Sequence, residues 1–317
     1  MVDPSGLSNE SALKEAGNKH ILMHGSTYQA LATDSGKKIL VEGNGVIVKD
    51  IDGNEYIDAL AGLWLVNVGH GRQEIGDAMA RQAGTLAYAS STQATTIPAI
   101  QLATRLAEIT PGDQTTAFFC SGGSESVKSA IKIARQYHYH NGQPKRQKVI
   151  GRLGSYHGGT YAAMSVSGTR PVSEPYHSPF MPGVLHASPP NCYRCDFRAT
   201  FPSCELLCAD QINQIIEYEN PETVAAVIAE PISASNGIVI PPDGYWKRLR
   251  AICNKHGVLL ITDEVINGFG RTGKMFASNH WNLVGDILTM AKGLSSGYAP
   301  IGGVMCRPHV TEAFQGD

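Results

Sequence analysis

Hydrophobic and polar positions change their period along the chain, and each period predicts a different kind of element. Residues 39–60, ILVEGNGVIVKDIDGNEYIDAL, alternate apolar with polar around GNG and DGN, the pattern of a β-meander. A short helix is expected before it in SALKEAGNKH, residues 11–20. Helical spacing follows at 73–84 (QEIGDAMARQAG) and at 97–109, where Ile97, Ile100, Leu102 and Leu106 recur. Apolar runs then alternate with helices. Strands are expected at 116–120, 148–152, 224–229, 257–262, 286–290 and 302–306, with helices at 124–138 and at 244–256, the second ending on a glycine cap. Such alternation predicts an α/β fold built on a doubly wound, mostly parallel sheet. Two parts are expected: an N-terminal segment over 1–70 and a large domain over 71–317.

Two of these apolar runs end on charge. GVLLITD, residues 257–263, closes on Asp263, and DILTMAK, residues 286–292, closes on Lys292 before the glycine-rich GLSSGYAPIGG. Ligands of open α/β sheets collect at the carboxyl ends of the strands. An acid and a lysine presented there suit one chemistry well. The lysine forms an imine with an aldehyde cofactor, and the acid keeps the cofactor's ring nitrogen protonated. Burial would lower the lysine's pKa and favour the neutral amine that this chemistry needs.

TDEV, GFGRTG and AKGLSSGYAPIGG together resemble the class III pyridoxal-phosphate aminotransferases, enzymes of fold type I, over residues 25–317. The resemblance implies pyridoxal 5′-phosphate as cofactor, with Lys292 and Asp263 catalytic. It further implies that the meander belongs to a small domain. HVTEAFQGD stops within the start of a helix, so the C-terminal small domain of the family is expected to be missing. SGGSES, residues 121–126, opens the helix after TAFFC. Backbone amides there make an anion site, or simply a glycine turn with Ser124 as cap. The resemblance assigns Gly122, Gly123 and Ser124 to the cofactor phosphate. In SYHGGT it assigns Tyr156 to stacking on the ring, with His157 beside it and Gly158 giving room, and it places Val265 on the opposite face. Glu230, ending VAAVIA, is implied near cofactor and substrate, although Ser233 stands where many relatives carry glutamine. Trp64, in GLWLVNVGHG, resembles a substrate-pocket segment of the ω-amino-acid:pyruvate branch. Arg271 is read as an anchor of its loop.

The implied function is transamination from an ω-amino acid or amine to a keto acid such as pyruvate, with small-molecule substrates and a homodimer in the full-length form. An aminomutase, or a catalytically silent fragment of the same fold, are the alternative readings.

The remaining features narrow the field. At 317 residues, 42% hydrophobic and 17% charged with net charge −2, the chain offers no electrostatic case for nucleic acid or an anionic membrane. Its first ten residues lack a basic and an apolar signal region, so a cytoplasmic enzyme is expected. GGSESVKS misses a Walker loop because Val127 replaces the glycine before the lysine. GFGRTG matches a dinucleotide fingerprint in letters only, lying past its strand and ahead of no clear helix. Of the 7 cysteines, Cys192, Cys195, Cys204 and Cys208 cluster at a spacing that invites zinc. The loop is read instead as a surface insertion away from the site, and no metal is assigned.

Overall fold

The computed structural model describes residues 10–22, 38–169 and 181–315, so the N-terminal run read for a signal region lies largely outside it. The chain divides into two compact units, Met1–Gly84 and Thr85–Asp317. The helix read at 73–84, at the start of the large domain, is observed as Gln73–Thr85 and falls almost wholly in the first unit.

In the first unit, helix α1 (Glu10–His20) places Lys14 between Glu10 and Asp52 at 2.5 and 2.8 Å. Strands β1 (Leu40–Asn44), β2 (Ile47–Asp50) and β3 (Glu55–Ile57) form the antiparallel meander. Buried Asp50 closes the DGN turn by accepting from Asn54 N and the Tyr56 hydroxyl, both at 2.8 Å. Gly53 takes the left-handed conformation (φ +86°) that a tight turn demands. Ala61, Gly62, Leu63 and Trp64 also run at positive φ, from 49° to 87°, an unusual series for residues with side chains.

The second unit holds a seven-stranded sheet in the order β4-β10-β9-β8-β7-β5-β6. Its strands are β4 (Thr116–Cys120), β5 (Lys148–Arg152), β6 (Val184–Ala187), β7 (Val224–Ala229), β8 (Leu259–Asp263), β9 (Ile287–Met290) and β10 (Gly302–Cys306). Only β10 runs against its neighbours; the other pairings are parallel. Because side chains alternate across a strand, each central strand feeds two cores. Ala226, Ile228, Leu259 and Ile261 pack with Val127, Ile131 and Ala134 of helix α2 (Gly123–His140). Val227 and Leu260 turn to the other face. There they meet Ile212 and Ile216 of helix α3 (Leu207–Tyr218) and Leu249 and Ile252 of helix α4 (Tyr245–His256). Helices thus cover both faces, which explains the unbroken apolar character of VAAVIA and LLIT. Among the described residues, no helix is long and apolar enough to cross a membrane.

Strand β6 and helix α3 are among the elements that lack a sequence forecast. Strand β6 is only four residues long and sits among prolines and glycine, too short for its period to register. Helix α3 begins inside the cysteine-rich stretch, so that Cys208 lies in its first turn rather than in a loop.

Candidate active site

Strands β4, β5, β7, β8 and β9 all point the same way, so the segments leaving them emerge at one sheet edge. Those segments carry Gly122 to Ser124, Tyr156 to Gly158, Glu230, Asp263 to Val265, and Lys292. The sheet register puts Asp263 beside Thr289, and Lys292 follows two residues after β9 ends.

Three close approaches hold these segments together. The Ser126 hydroxyl donates to Met290 O at 2.9 Å, seating the start of α2 against the end of β9. Gly123 is in contact with Val265; a Cβ there would lie 2.8 Å from Val265 Cγ1. Gly158, at φ +135°, leaves no space at all, since a Cβ would lie 2.1 Å from Ser124 Oγ. That Oγ accepts from Gly159 N at 2.9 Å and so ties the loop after β5 to the helix start. Gly158→Ala combines backbone strain with overpacking, each worth roughly 1–3 kcal/mol, and is expected to destabilise the unit by about 2–4 kcal/mol. A thermal midpoint equal to that of the parent chain would show that the loop does not depend on this contact.

Asp263 is buried and its oxygens are divided between partners. Oδ1 accepts from Val265 N and from the Thr289 hydroxyl, both at 3.0 Å, and Oδ2 meets His157 Nδ1 at 2.6 Å. Behind His157 stands Glu230, its Oε2 4.0 Å from Nε2. Glu230 Oε1 accepts from Tyr156 N at 3.2 Å and from the Ser233 hydroxyl at 3.0 Å. Arg152 Nη2 reaches both the Glu230 carbonyl (2.6 Å) and Oε2 (3.1 Å). All four charged residues are buried. Burial disfavours the Glu230 carboxylate, but the charges of His157 and Arg152 prevail and hold its pKa below the ordinary value.

Lys292 is half-buried and takes φ +41°, opening the turn Lys292–Leu294. Burial lowers its pKa, Asp263 opposes that shift, and the positive charge of Arg271 adds to it. The neutral amine is therefore more abundant than on a free lysine. Glu264, next to Asp263, is buried as well; it accepts from Ala277 N (3.0 Å), Ser278 N (2.7 Å) and the Ser278 hydroxyl (2.6 Å). Burial pushes its carboxyl up to about 7. Its contacts fasten the end of β8 to the turn Ala277–His280, beyond the GFGRTG loop.

The ten candidate residues from Gly122 to Lys292 are thus drawn to one edge of the second unit. Trp64 belongs to the first unit, in the left-handed run described above. Arg152, Thr289 and Glu264 escaped the sequence reading. Thr289 carried a signal, since it is three residues ahead of Lys292 at the run's end and pairs with Asp263 on the adjacent strand. All seven cysteines are free thiols. Among the described residues, no group of three or more His, Cys, Asp or Glu is arranged to hold a metal.

The donor set suits a group carrying an aldehyde, a basic aromatic nitrogen and a phosphate. A lysine of lowered pKa meets the first and a buried carboxylate the second. The third fits the first turn of α2, whose leading amides have no partner within the helix and whose cap, Gly122, has no side chain to fill the space.

Residues 28–317 match the family model for class-III aminotransferases. A probable aminotransferase of Mycobacterium tuberculosis is 42% identical over 295 residues, covering 93% of this chain and 62% of the relative. The putrescine–pyruvate aminotransferase of Pseudomonas aeruginosa is 38% identical, covering 89% and 62% respectively. The crystal structure of an (S)-enantioselective omega-transaminase from Thermomicrobium roseum superposes with a TM-score of 0.91 at 40% identity, over 96% of this chain and 68% of that one. The chain belongs to the class-III aminotransferase family, whose members depend on pyridoxal 5′-phosphate. It spans about three fifths of the length of the curated relatives it matches.

Proposed function

We propose that this protein is a pyridoxal-phosphate-dependent transaminase that takes an amino group from an ω-amino acid or amine and passes it to a keto acid such as pyruvate. The observation that carries the reading is the pairing of buried Asp263 with half-buried Lys292 at the ends of adjacent strands. The putrescine–pyruvate aminotransferase and an omega-amino acid–pyruvate aminotransferase of Pseudomonas putida support the choice of substrates. A homodimer and a cytoplasmic location belong to the same proposal.

When bound, the cofactor supplies an aldehyde that condenses with primary amines and an aromatic ring that accepts the electron pair released from the substrate carbon. Lys292 would hold the aldehyde through Nζ. The same nitrogen, as a neutral amine, would also serve as the base and acid that moves a proton at the reacting carbon of the substrate. Asp263 would face the ring nitrogen and keep a proton there by its negative charge. Gly123 and Ser124 would present backbone amides to the phosphate, and Tyr156 and Val265 would flank the ring.

The test is a visible absorption spectrum of the purified chain with added pyridoxal 5′-phosphate, before and after an ω-amine donor. A lysine-bound cofactor band that bleaches with donor is the expected result. Absence of any such band would refute the proposal for this chain.

A further inference from the structure

The mechanism proposed above leaves one buried feature unused. His157 Nε2 is sealed from solvent and has no hydrogen-bond partner, yet it points toward a carboxylate oxygen 4.0 Å away. The other ring nitrogen is spent on Asp263 at 2.6 Å. A neutral imidazole donating to Asp263 through Nδ1 would turn the Nε2 lone pair toward the Glu230 anion, a repulsive arrangement in a site with little water to screen it. A second proton at Nε2 converts that repulsion into attraction.

Glu230, for its part, has nowhere else to face. Its Oε1 is occupied by Tyr156 N and Ser233 Oγ, and Arg152 grips both its backbone carbonyl and Oε2. Arg152 lies deep beneath the site, with its guanidinium 5.5 Å from the Trp246 ring. The charges therefore alternate through the protein as Arg152, Glu230, His157 and Asp263, two positive and two negative. Alternation of this kind is the arrangement in which buried charges offset one another's desolvation.

We propose that Glu230 is a positioning residue for Asp263 that acts through His157: clamped by Arg152, its carboxylate keeps the ring doubly protonated, and the imidazolium in turn holds Asp263 as an oriented anion. This rests on the proposed function only in that Asp263 then serves the cofactor nitrogen. The charges facing the ring are Asp263 from β8, Glu230 from the end of β7 and, behind it, Arg152 from β5; Lys292, after β9, faces Asp263. Burial works against the charged ring, the two carboxylates outweigh burial, and Arg152 opposes them in part, leaving the pKa of His157 above its ordinary value.

The experiment is a nitrogen-15 spectrum of histidine-labelled full chain without cofactor, followed through a pH titration and repeated on Glu230→Gln. In the parent chain both His157 nitrogens should remain protonated well above the ordinary histidine value of about 6.5. In Glu230→Gln the ring should lose its Nε2 proton at lower pH, and the dissociation constant for pyridoxal 5′-phosphate should rise on the order of tenfold. A parent chain whose His157 is singly protonated at neutral pH overturns the inference, and that result needs no variant to fold. A folded Glu230→Gln whose His157 titrates as in the parent overturns it too. Should the chain take up no cofactor, the proposed function fails, while the titration still decides the role of Glu230.

Discussion

Lys292→Ala is expected to abolish attachment of pyridoxal 5′-phosphate and to lower transamination by on the order of 10²–10⁴-fold or more, the range associated with loss of a positioned acid–base group. Three features of Lys292 concentrate in one atom what the reaction requires. Burial makes Nζ a better nucleophile by lowering its pKa, Arg271 strengthens that effect, and nearby Asp263 keeps the shift from running further. The residue lies two positions past the end of β9, so its backbone is set by the sheet and by the Ser126 contact to Met290 O. Alanine at the same left-handed φ carries a strain like that of lysine, so the variant should melt close to the parent chain. The loss would then be chemical. Reduction with borohydride followed by peptide mass measurement separates the cases, because the parent should carry the cofactor's mass on Lys292 and the variant should carry none. A variant that retains transamination at the parent rate would remove Lys292 from the mechanism.

The acid and the lysine were legible in the sequence because each ends an apolar run, and a buried parallel strand can end on charge only where something receives it. The glycines were legible as a class but not in their individual duties. Gly158 looked like room for a ring, whereas its confinement comes from Ser124, 34 residues earlier, and no local pattern reports such a contact. Arg152 was hidden for a related reason. An arginine closing KVIGR reads as the solvent-facing end of a strand, and its partner Glu230 lies 78 residues further on. Helix α3 was lost to its first residues, LCAD, which belong by composition to the cysteine cluster although Ile212 and Ile216 sit at helical spacing. Strand order is a further case, because which strands become neighbours depends on helices covering both faces, a matter of the whole chain and not of any window in it.

Asp263→Asn tests the charge of the site apart from its shape. The amide can keep the Oδ1 contacts to Val265 N and the Thr289 hydroxyl, so β8 and β9 should remain joined as they are. Its nitrogen, however, would face His157 Nδ1, where the carboxylate now accepts at 2.6 Å. The ring must then surrender the Nδ1 proton to accept from the amide, keeping only the Nε2 proton that faces Glu230. Two consequences share a sign. His157 loses one of the two anions that raise its pKa, and Lys292 loses the charge that opposes its burial, so both groups should titrate at lower pH than in the parent. The cofactor nitrogen would meanwhile face a dipole where it had faced an anion. Turnover should fall on the order of 10²–10³-fold, the scale seen when one preorganised electrostatic contact is removed. The thermal midpoint should change little by comparison. The informative measurement is the pH dependence of Lys292 condensation with the aldehyde, followed by absorbance. Because the neutral amine is the reactive form, the rate profile should move to lower pH even as turnover drops. A profile that stays in place would mean that Asp263 does not act on Lys292 electrostatically, and a parent-like turnover would mean that its charge is not needed at the ring.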